Sequence, residues 1–354
     1  MKEKMNEQVN EQTNEQIKKK DLDLLNKMKN LPGGLVIIPL VIAVLLATFV
    51  PQVFQIGGYV TALFYEGNAC MMGFFLIVCG ASINIRQVGM PLYKGVVMTS
   101  VKFVLGVIFG LAVGKICGPA GFLGITPFVM IAAITNSNSS LYISLSSQFG
   151  NATDTGAVSI LALNDGPFFT LVALGATGLA SIPFMSLVAT IVPILIGFIW
   201  GNLDEGFKKA CATAQPIVTF FMTISIGAKT DITTILKAGA SGIVLGLISA
   251  ATAVIFFYVV NIFLPKKEKN AMGAAIGTTA LNSAMTPAAV AEADPTMAPY
   301  VDMATAQCAT ASIITLFLIP FITAFFDKMM QKKQKGIYSP EGWAHYKVTG
   351  EAAE

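Results

Sequence analysis

Residues 134–147 read ITNSNSSLYISLSS and place six consecutive polar residues, Thr135 to Ser140, in the middle of an apolar segment. Backbone at membrane depth leaves the helix only where it is buried in protein or lines a wet cavity. Ser and Asn side chains favour local bonds to the backbone that interrupt helices. The stretch therefore predicts a broken membrane helix, with two half-helix ends at the midplane of the bilayer.

The composition of the rest of the chain is that of a membrane protein. Of its 354 residues, 54% are hydrophobic and only 12% are charged, and the mean hydropathy is +0.69. A soluble domain usually carries about a quarter charged residues. Breaks at Gly, Pro and charged clusters predict an all-α membrane protein of about ten transmembrane helices. The predicted segments lie near 35–50, 59–80, 92–115, 122–149, 156–178, 182–201, 212–228, 233–263, 270–291 and 298–326.

Several classes of protein are excluded by the same composition. A net charge of +3 with no basic face does not fit a nucleic-acid binder. The five cysteines show no CxxC spacing, which excludes a zinc site or a disulfide framework, and the single histidine, His345, lies in a polar tail. The sequence holds no phosphate-binding loop and no HExxH motif. We therefore expect no enzyme, no cofactor and no metal centre, although a sodium site stays open below.

The basic residues predict the orientation in the membrane. Residues 1–30 contain three NEQ repeats followed by lysines, and we expect a disordered cytosolic tail there. With the N-terminus inside, 19 of the 23 lysines and arginines fall on the inner side, as positive loop charges do in membrane proteins. This predicts an even number of spans, both termini in the cytoplasm, and a cytosolic C-terminal tail at 328–354.

Two short matches suggest an internal repeat. Residues 74–85 resemble 221–232 at an offset of 147, and 134–137 resemble 280–283 at an offset of 146. Five spans separate equivalent points, and an odd number inverts the second copy, as in many secondary transporters. The sequence thus predicts one five-helix repeat at 31–178 and an inverted one at 179–327, unless the small residues match by chance.

The repeat partner of the polar stretch is also polar. Residues 278–287 read TTALNSAMTP and add a proline that stops helices. Two broken helices in equivalent positions predict a shared site, at which half-helix N-termini offer N–H groups to an anion. The alternative is that these small polar residues only hold helices together.

A few ionisable and amide side chains complete the set of candidates. Asp165, in LNDGP at 163–167, lies inside a span and is a candidate to carry a proton, bind a cation or pair with Lys102. Glu66 is a second proton-carrying candidate, and both it and Asp302 can equally lie at the water boundary. Lys102 can also snorkel to the interface. Glu292 and Asp294 are expected as solvated loop charges. Without a nucleotide-hydrolysing motif, secondary transport is the simplest function.

Several separated motifs, in order, resemble the bacterial 2-keto-3-deoxygluconate permease family. They are PGGLVIIPL at 32–40, ITNSN at 134–138, LNDGPF at 163–168, GNLDE at 201–205 and ADPTMAPYVDMATAQ at 293–307. The resemblance runs from about residue 30 to about residue 327. It implies proton-coupled uptake of 2-keto-3-deoxygluconate across the bacterial inner membrane.

The resemblance also implies kinship with the bile-acid/sodium symporter fold. That fold has ten helices in two inverted repeats, a core domain, a panel domain, and two broken helices that cross in the core. The crossing helices would be the fourth segment at Asn136 to Ser140 and the ninth at Asn282 to Thr286. Segments three to five and eight to ten would form the core, and the other four the panel.

Together these arguments give the predicted site. The substrate-binding candidates are Asn136, Ser137, Asn138, Ser139, Asn164, Asp165, Asn282, Ser283, Thr286 and Gln307. The proton-coupling candidates are Asp165 and Glu66. A sodium site near Asn138 and Asn282 is the alternative, and it would make the protein a sodium-coupled carrier of another small organic anion. A membrane receptor without transport is a third possibility.

Overall fold

A computed structural model describes residues 23–30, 34–84, 89–229 and 232–342, which form helices joined by short connections. The α-helices are α1 (Leu24–Asn30), α2 (Gly34–Phe49), α3 (Gly58–Phe64), α4 (Asn68–Ser82), α5 (Met90–Cys117), α6 (Pro127–Thr135), α7 (Ser139–Phe149), α8 (Ala152–Leu161), α9 (Phe168–Thr177), α10 (Phe184–Leu203), α11 (Glu205–Gly227), α12 (Ile232–Phe263), α13 (Met272–Ala275), α14 (Thr286–Ala293) and α15 (Val301–Lys332). Short 3₁₀ helices cover Pro51–Phe54, Ala162–Asp165, Lys266–Glu268, Leu281–Ala284, Pro295–Tyr300 and Gly336–Tyr338. Within the described ranges, the sole β-type pairing is an isolated bridge between Phe122 and Ile125.

Among the described residues, five helices are long and apolar enough to cross a membrane. They are α5, α10, α11, the Ala238–Phe263 part of α12, and the run Pro295–Tyr338 that contains α15. Two bent pairs raise the number to seven: α3 with α4, at 56°, and the run Ala152–Asp165 with α9, at 58°. The all-helical membrane class is thus confirmed. Each of the ten predicted segments contains helix, but three are not counted as spans. The first holds the 16-residue α2, and the fourth and ninth are broken into the shorter helices α6, α7, α13 and α14.

The helices pack in two groups. In one group α4 packs against α10 and α11, and α11 packs against α2. In the other, α5 packs against α6 and α8, while α12 packs against α13 and α15. Small residues allow the closest approaches: a Cβ on Gly201 of α10 would lie 2.7 Å from the Cα of Ala81 in α4. Close backbone contact of this kind is how helices gain packing energy in a membrane.

Helical structure continues into both predicted tails, of which the N-terminal one was expected to be disordered. Residues 24–30, assigned above to a disordered tail, form α1, in which Asn26 donates a 2.7 Å hydrogen bond to Asp23. At the other end α15 continues past Phe326 to Lys332, and Ile337 is buried. The Ile337 N–H donates to the Lys269 carbonyl at 3.0 Å, which anchors this segment to the connection after α12. The NEQ repeats and His345 lie outside the described residues.

Candidate site at two broken helices

The first break separates α6 from α7 as the sequence predicts. Asn136 and Asn138 are extended, with ψ of 140° and 92°. The amide of Asn136 donates back to the Ala132 carbonyl at 2.7 Å, and Oδ1 of Asn138 accepts from the Leu141 N–H at 2.9 Å. One asparagine therefore closes the end of α6 and the other caps the start of α7. These local bonds explain why the helix stops and restarts here.

The second break is longer and begins earlier than predicted. The prediction put it at Asn282 to Thr286, whereas α13 ends at Ala275 and residues 277–280 are already non-helical. Neighbouring hydroxyls hold this stretch open. The Thr279 N–H donates to Thr315 Oγ1 at 3.1 Å, and the hydroxyl of Ser312 lies 2.6 Å from the Ala280 carbonyl. One hydroxyl of α15 thus accepts and the other donates in place of the bonds that a continuous helix would have made itself.

Lys102 binds the carbonyl end of α13. Its fully buried ammonium donates to the carbonyls of Ile276 and Thr278, both at 2.6 Å. A positive charge at the C-terminal end of a helix is favourable, and here it also satisfies two carbonyls at the break. Snorkelling of Lys102 is therefore wrong. Lys102 and Asp165 are close enough to interact electrostatically, but within the described part of the chain they form no ion pair.

The two breaks meet, and a third segment joins them. The Asn138 N–H donates to Thr278 Oγ1 at 3.2 Å, which links the breaks directly. The Ser137 N–H donates to the Asn164 carbonyl at 3.2 Å, so the 3₁₀ turn before α9 lies against the first break. Asn136, Ser137, Asn138 and Asn164 therefore lie at one place, as the sequence predicts.

Asp165 is buried at this junction, and one of its carboxylate oxygens has no hydrogen-bond donor among the described residues. The N–H and hydroxyl of Ser139, at the start of α7, lie beside its carboxylate. Among the described residues, no donor forms a hydrogen bond with Oδ1 of Asp165, and Oδ1 of Asn164 and Oδ1 of Asn136 also have no partner. Buried polar atoms are rarely left without partners. The unpartnered oxygens of Asp165, Asn164 and Asn136 at this junction mark a place that can take a proton, an ion or a polar ligand.

Other predicted residues are not held at this carboxylate. Gln307 donates to the Gly124 carbonyl at 3.0 Å and to Ser241 Oγ at 2.9 Å, near the start of α6. Ser283 bonds to the Ala280 carbonyl at 2.6 Å. Thr286 is buried and Asn282 is half-buried on the second break. Glu66 is exposed in the bend between α3 and α4.

A cavity of about 320 Å³ lies between α4, α9, α10 and α14. Of these helices, α4 and α10 belong to the first group, while α9 contacts α6 and α14 contacts α15 of the second. Its volume falls within the range of small-molecule sites. Its lining residues include Ala69, Leu76, Pro167, Thr190, Glu292 and Ala293. Leu76 also packs against Gly166, the residue that follows Asp165. A Cβ added to Gly166 would lie 2.9 Å from Leu76 Cδ2. The cavity thus extends almost to the junction of the breaks.

The two acids at the end of α14 differ from the prediction. Glu292 is exposed as predicted, but it lines the cavity and accepts a 3.3 Å hydrogen bond from Asn68 of α4. Asp294 is buried, accepts from the Ser181 N–H at 2.6 Å and caps the following 3₁₀ helix through Thr296. Hydrogen bonds from Thr296 and Ser181 lower the pKa of Asp294. The Asp-Pro sequence was the available signal, because Asp before a turn commonly caps it.

Comparison with known proteins gives a family match along most of the chain. A family model described as 2-keto-3-deoxygluconate permease matches residues 25–332. The chain is 38% identical over 312 residues to 2-keto-3-deoxygluconate permease 1 of Salmonella typhimurium, which covers 88% of this chain and 98% of that protein. It is 30% identical over 319 residues to 2-keto-3-deoxygluconate permease of Bacillus subtilis, covering 89% and 96%. It is 32% identical over 304 residues to the permease of the same name from Xanthomonas oryzae, covering 84% and 95%.

Proposed function

The chain belongs to the 2-keto-3-deoxygluconate permease family, and we propose that it takes up 2-keto-3-deoxygluconate together with a proton across the bacterial inner membrane. As a member of that family it is a transporter and not an enzyme. The observation that carries the coupling proposal is the buried carboxylate of Asp165, whose Oδ1 has no partner in the described chain, beside the N-terminus of α7.

The junction supports binding of a carboxylate and of hydroxyl groups. The α7 N-terminus offers N–H groups and positive dipole to an anion, at Ser139. The unpartnered oxygens of Asn136 and Asn164 are acceptors for the hydroxyls of a sugar acid. We propose that these residues and Asn138 contact the substrate, with Asn282, Ser283 and Thr286 contributing from the second break. Gln307 stays a weaker candidate because Gly124 and Ser241 already bind its amide group.

Protonation of Asp165 would favour loading of the anion. An ionised Asp165 and a substrate carboxylate would compete for the same helix N-terminus. Two like charges about 4 Å apart repel by about 4 kcal/mol at an effective dielectric constant of about 20. That energy corresponds to about a thousandfold in affinity. A proton on Asp165 removes the repulsion, and the loaded site is then neutral.

Lys102 favours a proton over sodium as the coupling ion. Unwound carbonyls at a broken helix are the groups that coordinate sodium in many transporters. Here two of them, from Ile276 and Thr278, are already bound by an ammonium at 2.6 Å. A sodium site near Asn138 and Asn282 would have to use other oxygens. Sodium-coupled transport of another small anion is therefore the second candidate.

The two helix groups support alternating access. We propose that the group of α2, α4, α10 and α11 is a panel and the other a core, arranged as two inverted five-helix repeats. Rocking of one against the other would open and close the cavity between them. With both termini in the cytoplasm, the cavity opens to the outside, because the N-terminus of α4 and the C-terminus of α14 are outer ends.

Uptake by proteoliposomes tests the proposal. Labelled 2-keto-3-deoxygluconate is offered under an inward pH gradient, with and without sodium, to wild type, Asp165→Asn and Glu66→Gln. We expect accumulation without sodium in wild type and in Glu66→Gln. Asp165→Asn should lose accumulation but keep exchange of substrate across the membrane.

Other outcomes decide against parts of the proposal. Accumulation that needs sodium would move coupling to a cation site at the breaks. Loss of accumulation in Glu66→Gln alone would make Glu66 the proton carrier. Binding without flux, in folded protein, would indicate a receptor, and the absence of both would exclude this substrate.

A further inference from the structure

The cavity between the two helix groups follows one face of α4. Four of its lining residues lie on this face, at the spacing of one helix stripe: Ala69, Met72, Gly73 and Leu76. The seven steps from Ala69 to Leu76 correspond to about 10 Å along the helix axis. Asn68 and Glu292 lie at the start of this face, and Leu76, which packs against Gly166, lies at its end. The cavity therefore has one end beside Glu292 and the other next to the residue that follows Asp165.

The end beside Glu292 carries hydrogen-bond acceptors. The Glu292 carboxylate lines the cavity and accepts a 3.3 Å hydrogen bond from the Asn68 amide. Because an ionised carboxylate only accepts, Asn68 faces it with its NH₂ group, which leaves Oδ1 for another partner. Asn68 is only 8% exposed, and this oxygen has no hydrogen-bond partner among the described residues. Since buried polar atoms rarely lack partners, it indicates a ligand that donates hydrogen bonds.

Helix α10 adds a third acceptor to the lining. Pro193 lies inside this helix, and both it and Ala189 line the cavity. A proline has no N–H, so the Ala189 carbonyl loses the donor that a regular helix supplies four residues later. Carboxylate, amide oxygen and carbonyl all need hydrogens. The hydroxyl groups of a ligand supply them, whereas an ionised carboxylate of a ligand supplies none.

We propose that Glu292 and Asn68 bind the hydroxyl end of the substrate, and that they select sugar acids with one carboxylate over those with two. This inference rests on the proposed function, which puts the substrate carboxylate at the N-terminus of α7, beyond the other end of the cavity. A second carboxylate at the far end of the ligand would find acceptors only and would be repelled by Glu292. Glu292 thereby also fixes the direction in which the substrate lies.

One basic residue acts on Glu292 from outside the cavity lining. Lys229, two residues after α11, interacts with Glu292 electrostatically. Lys229 is exposed, and its ammonium lies 5.0 Å from the centroid of the Tyr65 ring. Solvent screens exposed charges. Removal of the Glu292 charge would leave Lys229 to attract a second carboxylate, so Lys229 adds to the change in selectivity that we expect from a Glu292 variant.

Calorimetric binding to the purified chain in detergent tests this selectivity. The ligands are 2-keto-3-deoxygluconate and the matching dicarboxylic acid, in which a carboxylate replaces the terminal CH₂OH group. Wild type should bind the monocarboxylic acid at least about tenfold more tightly, because Glu292 repels the second charge. Glu292→Gln should lower this ratio of affinities by about tenfold. Glu292→Asp, which keeps the charge, and Glu341→Gln, which changes an exposed acid outside the cavity lining, should keep the ratio.

Each outcome decides for or against the role of Glu292. A ratio that falls in Glu292→Gln alone supports it. A ratio that stays high in Glu292→Gln, falls equally in Glu292→Asp, or is absent in wild type overturns it and leaves the transport proposal standing. Binding of neither acid by folded wild type overturns the proposed substrate and this inference together. Glu292→Ala replaces Glu292→Gln if the latter does not fold, and failure of both to fold would show a structural role and overturn selectivity.

Discussion

At the scale of single residues, the two breaks differ because the Lys102 ammonium binds carbonyls of the second one. Lys102 is fully buried and donates to Ile276 and Thr278 across 174 and 176 residues of sequence. Its acceptors are backbone carbonyls, which every residue has, so no sequence pattern marks them. The sequence could predict that a lysine inside a span needs a partner. It could not predict that the partner is the end of a helix.

Removal of this ammonium should open the second break. We expect Lys102→Met, which keeps an unbranched side chain only one atom shorter, to leave two buried carbonyls without donors. Bonds from charged donors contribute about 1.5–3 kcal/mol each, so the variant should lose about 3 kcal/mol of stability or more. Thermal unfolding in detergent measures this loss, and uptake should fall with it. Lys102→Arg, which keeps the charge, should be less affected; equal stability of Lys102→Met and wild type would contradict the assignment.

At the scale of elements, the two breaks differ in what holds them. The first is closed by its own asparagines, through bonds to residues three or four positions away. A sequence shows which residue types can form such local bonds, and the first break was predicted correctly. The second is held by α5 and α15, through Lys102, Ser312 and Thr315. The sequence therefore predicted its existence but put its start several residues too late.

Close packing of the second break against α12 should be sensitive to one methyl group. A Cβ added to Gly277 would lie 2.7 Å from the Cα of Ala253, whereas one added to Gly239 of α12 meets nothing within 4 Å. We expect Gly277→Ala to cost about 1–3 kcal/mol by overpacking. It should also displace Thr278, which contacts Asn138. Gly239→Ala is the matched control and should be neutral or slightly stabilising.

Thermal unfolding and uptake of the two glycine variants are measured together. Gly277→Ala should unfold at a lower temperature and transport less, while Gly239→Ala should match wild type. Equal behaviour of the two variants would show that the backbone at the second break has room to move.

At the scale of the whole molecule, contacts between buried polar side chains join distant parts of the chain. A buried cluster at Lys94, with Asn151 and Asp154, joins residues 57 to 60 apart within the first half and then reaches Glu268 and Asn270 in the second. Lys94 is one of the 19 basic residues that the sequence places on the inner side of the membrane, but the count of charges could not show that folding buries it. Periodicity and polar clusters predicted the helices and the junction. The buried cluster at Lys94 and the cavity are visible only in the structure, because both are formed by residues from the first and the second half of the sequence.

The proposed orientation of the cavity makes a prediction about the whole molecule. Ser186 of α10 lines the cavity, and Ser82 is exposed at the other end of α4. The exposed Cys70 and Cys117 and the half-buried Cys211 are first replaced by serine, which leaves the two buried cysteines. In intact cells, a membrane-impermeant maleimide should then label Ser186→Cys and not Ser82→Cys. Substrate should slow the labelling of Ser186→Cys, because closure of the two helix groups narrows the cavity. Labelling of Ser82→Cys alone would mean that the chain has the opposite orientation. If substrate does not change the rate at which Ser186→Cys is labelled, the cavity is not part of the transport path.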